Sequence, residues 1–506
     1  MADKNKQIRN KYNIVIIGGG IGGLVSGAIL AKNGFSVAIL EKNDKLGGTI
    51  SGFVEDGCLF DLFGTHIYGG GFSEPLNLLR QVFDTLNIRP ELLPIDPPMT
   101  IYTPDKKITV HRDRKEFLRE LFEYYPSFRK ELTEFYDELN ELYEILLEIP
   151  QYRPMGRFTV LKTALLHPHL SEKLVLNSFN TLNKIYKKYG FSDEIRCVID
   201  SLIAHYTLLK PYEIPAFIAA YFLIGLHKEG LYYTRGTNST LINEIARVAE
   251  ESGAEIFTNT EVKEILVSNN YARGVILKSE RVIHADRIIS NTTAFNTFTR
   301  LVNRKYLSDN TRHKFDVIED ADSFFYLYLK TERDILKDIG SPNVLFIPRL
   351  TSDFLEAPII RVFVPSMIDS SLVEDKSYHN LIISVPQQAV RWRQQKHIGN
   401  KNKAFAERLL SSLENIVPGI KEGSVVLKYN SPLDIEEITG REDGTFGKKM
   451  DFRQGLYNRG GNKTTLENLY LAGDSTFPGQ GISMAAYSGK LCAELIIKER
   501  GKKLPI

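Results

Sequence analysis

Gly18, Gly20 and Gly23 stand in the spacing of a dinucleotide-binding turn, and Glu41 follows close to where a ribose acceptor is expected. Gly18 can turn the chain where a side chain would clash. Gly20 leaves the backbone open to a pyrophosphate, and Gly23 lets a helix pack close to a sheet. A helix start offers unpaired N–H groups and about half a unit of positive charge, which suits a diphosphate. Glu41 can accept hydrogen bonds from ribose hydroxyls, and it would repel a 2′-phosphate, which disfavours NADP. A glycine-rich turn without a ligand is the bland alternative, and the flanks weigh against it. Residues 12–17 (YNIVII) read as a buried strand, residues 24–32 as a helix, and residues 35–40 as a second strand ending on Glu41.

A second constellation lies near the other end. Residues 468–474 (NLYLAGD) read as a strand that ends on Gly473 and Asp474, and Gly479-Gln480-Gly481-Ile482 opens a helix with many small residues. Asp474 is placed to accept a hydrogen bond from a sugar-alcohol hydroxyl, and Gly473 leaves room for a phosphate. The N–H groups at Gly481 to Ser483 would face a group carrying negative charge, such as the pyrimidine edge of a reduced flavin. An ordinary strand-turn-helix is the competing reading of this segment by itself. Its pairing with the first motif weighs against that.

The elements that must carry these residues belong to a chain of 506 residues, long enough for two or three domains. Hydrophobic residues make up 43% and charged residues 25%, as in soluble globular proteins. The net charge of +2, without a dense basic patch, gives no reason to expect a nucleic-acid partner. Cys58, Cys197 and Cys492 form no CxxC pair and no metal-ligand spacing, so no metal site and no dithiol relay is expected, and a reducing compartment is. The polar start MADKNKQIRNKYN lacks the apolar core of a signal peptide. The longest apolar run, residues 214–226, is too short to span a bilayer and reads as a buried helix. A cytoplasmic protein is the resulting expectation.

Between the two motifs, residues 67–73 (IYGGGFS) read as a flexible loop and residues 113–148 as helices. Phe128, Leu132, Phe135, Leu139, Leu142 and Leu146 draw one stripe, read as an amphipathic helix on a core rather than a coiled coil. Arg153, Met155, Arg157, Phe158, Leu161, Lys162, Leu165 and Leu166 could form a membrane-docking face or a lid or core helix. Leu241, Ile242, Ile245 and Val248 mark a further helix. Residues 254–258 and 261–267 read as strands, 273–277 and 281–283 as a hairpin, and 285–290 as a separate buried strand. No repeat, low-complexity tract or flexible linker is evident.

The chain resembles the FAD-dependent phytoene-desaturase family, which includes carotenoid isomerases and retinol saturases, within the wider amine-oxidase-like flavoproteins. The matching pieces are VIIGGGIGGLVSGAILAKNGFSVAILEKNDKLGGT, residues 233–267, ADRIISNT and NLYLAGDSTFPGQGISMAAYSGKLCAELI. The resemblance implies an α/β fold in which a Rossmann-like FAD-binding domain (residues 1–95, 232–302 and 465–506) is interleaved with a mixed-sheet and helical substrate domain (96–231 and 303–464). It implies that Gly18, Gly20, Gly22 and Gly23 surround the FAD diphosphate and that Glu41, with Lys42 beside it, holds the adenosine ribose. Gly47, Gly48 and Thr49 would line the diphosphate side, and Val262 would meet adenine through its backbone. Asp474 would bind the ribityl chain beside Gly473, with Gly481 and Ile482 near the isoalloxazine ring. His66 is the titratable side chain singled out beside the ring, where a structural hydrogen-bonding role is favoured over proton transfer.

Two departures stand out. Thr49 occupies a place where the family often has arginine, and Phe63-Gly64-Thr65-His66 replaces a common glycine-proline pair. The implied substrate is a long apolar polyene or isoprenoid that is desaturated, saturated or isomerised. Such a substrate suggests peripheral contact with a membrane and leaves oligomeric state open. An amine or porphyrinogen oxidase is one alternative, although no aromatic pair flanking a ring is identifiable. A prenyl-lipid carrier resembling Rab escort and GDP-dissociation inhibitor proteins is another, and the presence of both Glu41 and Asp474 argues against it. With one dinucleotide fingerprint, a separate NAD(P)H domain has no support.

Overall fold

The computed structural model describes residues 7–63, 66–69, 76–148, 165, 177, 180–207, 209–307, 322–350, 359–394, 400–447, 449, 451 and 459–501. Of the eight residues named for the docking-or-lid reading within 151–190, only Leu165 is described, and its side chain is exposed. The other residues named there lie outside the described ones.

The first sheet collects strands from both ends of the chain. Glu255–Phe257, Val37–Leu40, Lys11–Ile17 and Val282–Ser290 run parallel side by side, and Leu469–Leu471 adds to the far half of Val282–Ser290. Parallel strands are covered on both faces, which explains the unbroken apolar runs IVII and VAIL. Val262–Ser268 and Tyr271–Leu277 extend this sheet antiparallel. The hairpin arm at 281–283 and the strand at 285–290, expected as separate pieces, are one strand, Val282–Ser290. Its first half pairs with Tyr271–Leu277 and its second half with Leu469–Leu471, so the strand changes partner without breaking. The exposed His284 interrupts the apolar pattern but not the backbone.

Ile21–Lys32 packs on this sheet and against the last helix, Ile482–Glu499. Glycines permit that approach: a Cβ on Gly489 would lie 2.3 Å from the Gly22 carbonyl oxygen.

The second sheet is mixed, in the order Ser424–Asn430, Ser323–Glu332, Tyr378–Gln387, Ile360–Phe363, Asn343–Phe346, Met99–Tyr102, Lys107–Val110. Side chains alternate between its faces. Phe325, Leu327, Leu329, Ile360 and Val362 meet a core that includes Leu409, Leu410 and Leu413 of the helix Lys401–Leu413, while Tyr326, Tyr328 and Phe363 join the main core on the other face.

Helices Arg129–Glu148 and Ala216–Lys228 pack together, and the stripe of Leu132, Phe135, Leu139, Leu142 and Leu146 is buried, as expected for a core-facing helix. Ala216–Lys228 is apolar nearly all round because it is enclosed. The segment expected as a flexible loop begins with a short strand, Ile67–Tyr68, paired with Leu231–Tyr232. Among the described residues, no helix is long and apolar enough to cross a membrane.

Candidate active site

Glycine turns and helix starts from opposite ends of the chain open into one cavity of about 550 Å³, within the range typical of small-molecule sites. The helix Ile21–Lys32 begins at Gly20 and the helix Ile482–Glu499 at Gly481, and neither has a side-chain cap. Both present backbone N–H groups without helical partners, and Gly20, Ile21, Gly481 and Ile482 line the cavity. All of the residues expected to form the site line it except Gly23. Gly23 packs behind the turn, where a Cβ would fall 2.4 Å from the Gly18 carbonyl oxygen. This close contact fits the helix–sheet packing expected of it.

Glu41 is 5% exposed. One carboxylate oxygen accepts the Gly19 N–H at 2.7 Å and the other the Asn43 N–H at 2.9 Å. A carboxylate has about four acceptor positions, so both oxygens retain capacity for ribose hydroxyls. The Gly47 N–H bonds the Gly19 carbonyl at 2.9 Å, tying the second glycine turn to the first. Asp474 reaches the same cavity already paired, accepting from the Arg441 guanidinium at 2.6 Å.

Asn291 joins the two ends. It follows the strand Val282–Ser290, and its amide nitrogen donates to the Ala472 carbonyl at 2.9 Å. A Cβ on Gly20 would lie 2.6 Å from its Oδ1, and one on Gly473 2.7 Å from its Nδ2. Asn291 escaped the reading of individual residues, although ADRIISNT carries it. Arg441, Arg361 and Gln480 were missed as well. Only Arg361 left a trace, a lone charge inside an apolar run (IIRVFV).

Beside the Gly481 turn the cavity has an aromatic wall, tied to it where Gln480 Nε2 donates to the Tyr206 carbonyl at 2.8 Å and Ser483 Oγ to the Tyr68 carbonyl at 3.0 Å. Phe63, Tyr68, Tyr206, Tyr221, Phe222 and Tyr326 line it, and Tyr206 stacks on Phe222 with centroids 4.7 Å apart. His66 is buried here, with Nε2 3.0 Å from the Tyr206 hydroxyl and Nδ1 3.3 Å from Arg361. A guanidinium only donates, so Nδ1 accepts and Nε2 carries the proton. Burial holds the imidazole well below its usual pKa, and the Arg361 charge adds to this. His66 is a neutral bridge between Tyr206 and Arg361.

The lining fits a flavin cofactor. Two buried acceptors that line the cavity, Gln480 Oε1 and Asn296 Oδ1, have no hydrogen-bond partner. Two uncapped helix starts suit negative charge, and the aromatic wall suits a planar ring system.

The family model for flavin containing amine oxidoreductase matches residues 21–497. The chain belongs to this family. It is a flavoprotein oxidoreductase, and its α/β fold and carotenoid-enzyme relatives agree with the resemblance drawn from the motifs. A chloroplastic prolycopene isomerase of Daucus carota is 28% identical over 98% of this chain and 82% of its own length. A 4,4'-diapophytoene desaturase (4,4'-diapolycopene-forming) of Methylomonas sp is 25% identical over 96% of this chain and 95% of its own. Among solved structures, an oxidoreductase from Methanosarcina mazei superposes with a TM-score of 0.68 at 19% identity, covering 95% of this chain and 99% of that one.

Proposed function

We propose that this chain is an FAD-dependent oxidoreductase acting on C–C or C=C bonds of a long apolar isoprenoid or polyene, by hydride exchange with the flavin. The observation that carries the reading is a single cavity with two uncapped helix starts and an aromatic wall that adjoins the second of them. Gly18, Gly20 and Gly22 admit the diphosphate, Gly47, Gly48 and Thr49 border it, and Glu41 and Lys42 hold the ribose. Val262 meets adenine, Gly473 and Asp474 the ribityl chain, and Gly481 and Ile482 the ring. FAD in this cradle supplies hydride acceptance or donation. The aromatic wall excludes water and holds a flat conjugated chain by dispersion and stacking. Residues 1–95, 232–302 and 465–506 form the cofactor-binding part, and 96–231 with 303–464 the substrate part.

Arg441 offsets the cation missing at Thr49. It reaches the cavity beside Asp474, and Lys42 and Arg300 also line it. Arg441→Ala should weaken FAD binding about tenfold, the scale of one lost charge-assisted contact. Titrating apoprotein with FAD measures this, and unchanged affinity would remove Arg441 from the cradle.

His66→Gln should keep FAD and retain turnover to within about tenfold, because a neutral bridge is not a proton donor of consequence. A loss of several orders of magnitude with flavin retained would make His66 catalytic.

The decisive experiment begins with purified protein. Chromatography of the released cofactor should give FAD. Incubation with a panel of polyenes, with and without reductant, should shift the polyene absorbance spectrum. A colourless protein that cannot be reconstituted, or amine turnover without polyene turnover, would sink the reading. An apolar substrate arrives from a bilayer, so we also expect peripheral membrane docking. Flotation with liposomes tests this, and a protein that stays wholly in the soluble fraction contradicts it.

A further inference from the structure

Arg361 is 4% exposed. Its Nε donates to Asn343 Oδ1 at 3.3 Å, one terminal nitrogen donates to His66 Nδ1 at 3.3 Å, and the guanidinium lies over the Phe363 ring at 5.5 Å. All three partners are neutral, and among the described residues no carboxylate pairs with it. A buried ion is costly unless something compensates it. The second sheet imposes this position. Ile360 and Val362 enter the core on one face, so Arg361 and Phe363 must emerge on the cavity face.

Arg361 also stands at a junction. A second cavity of about 260 Å³ shares Asp322, Phe324 and Arg361 with the main one. Lys210, Lys449 and Glu213 also line the second cavity, and burial raises the pKa of Asp322. The guanidinium is thus a buried charge, without a paired carboxylate among the described residues, where the two cavities meet. A pure hydrocarbon would seal it in without an anion. A ligand ending in a carboxylate would neutralise it, with the planar pairing that a guanidinium offers.

We propose that Arg361 anchors a terminal carboxylate on the substrate, whose apolar chain extends past Phe324 to the aromatic wall of the main cavity. This rests on the polyene reading and narrows it to an isoprenoid acid. The chain end is held at a fixed distance from the wall, so the same C–C bond is presented each time.

The test uses flavin-loaded protein and three ligands of equal chain length in the same detergent: a polyene hydrocarbon, its terminal carboxylic acid and the methyl ester of that acid. Binding is read from perturbation of the flavin absorbance. The acid should bind about 10- to 100-fold more tightly than the hydrocarbon, as expected for a buried charge-assisted pair, with the ester close to the hydrocarbon. In Arg361→Gln the advantage should fall to about threefold or less with flavin stoichiometry unchanged, while Arg361→Lys should keep part of it. Equal binding of acid and hydrocarbon by the native protein overturns the proposal and leaves the polyene reading standing, whether or not the variants fold. An ester as tight as the acid, or an advantage that survives in Arg361→Gln, also overturns it. If no polyene binds, the polyene reading falls and takes this proposal with it.

Discussion

Gly22→Ala is expected to yield a protein without flavin that unfolds several degrees lower than the native chain, at the scale of about 1–3 kcal/mol for overpacking. A Cβ at Gly22 would lie 2.9 Å from the Gly473 backbone nitrogen, 3.0 Å from the Ala485 carbonyl oxygen and 2.9 Å from the Asn291 amide nitrogen. Two of these are backbone atoms, one in the turn at Gly473 and one in the last helix, and neither can rotate away. Relief requires the two ends of the chain to move apart, which opens the cradle itself. Gly48→Ala is the contrast. Gly48 has φ +57° with nothing within 4 Å of an added Cβ. Its replacement costs about 1 kcal/mol of backbone strain and pushes no protein atom aside, so the fold should keep nearly its full stability. The flavin-to-protein ratio and thermal unfolding measure both. Full flavin occupancy in Gly22→Ala would mean that the two ends are not held as closely as described.

Glu41→Ala should reduce FAD affinity about a hundredfold and also lower stability. Two buried N–H groups, of Gly19 and Asn43, depend on this carboxylate. Leaving each unsatisfied costs about 1–3 kcal/mol, in addition to the lost ribose acceptor. Glu41→Gln should lie between, because its amide offers one acceptor oxygen where the carboxylate has two. The comparison separates the roles. If stability falls in Glu41→Ala while FAD affinity is unchanged, the carboxylate braces the turn and does not touch the ribose. Titration of apoprotein with FAD, beside a denaturation curve of the same sample, reads both.

The two glycine motifs were legible because they are local. A left-handed turn at Gly18 (φ +98°), a backbone that must stay bare at Gly20 and a helix start immediately after are requirements met within a few residues. The same holds for Gly473 and Gly481, at φ +110° and +99°. The joining of the two motifs was an inference from chemistry. The structure accounts for it through strand pairing: Val282–Ser290 lies between Lys11–Ile17 and Leu469–Leu471, and Asn291 at its end bridges both turns. The division of that strand into two pieces shows the limit of apolar alternation. The exposed His284 interrupts the pattern of side chains, while the backbone continues and exchanges one hydrogen-bonding neighbour for another.

The amino-acid order alone settled the strand-turn-helix units, the acids that follow them and the stripe that buries Arg129–Glu148, because each depends on contiguous residues or on one helical period. Tertiary structure alone decided that Arg441 meets Asp474, that His66 is pinned neutral between Tyr206 and Arg361, and that Arg361 faces a cavity. Alternation along Ile360–Phe363 puts Arg361 on the face opposite Ile360 and Val362, but not which face is inside. That choice is made when helix Lys401–Leu413 covers the other side of the sheet, a packing event between segments that no local pattern connects.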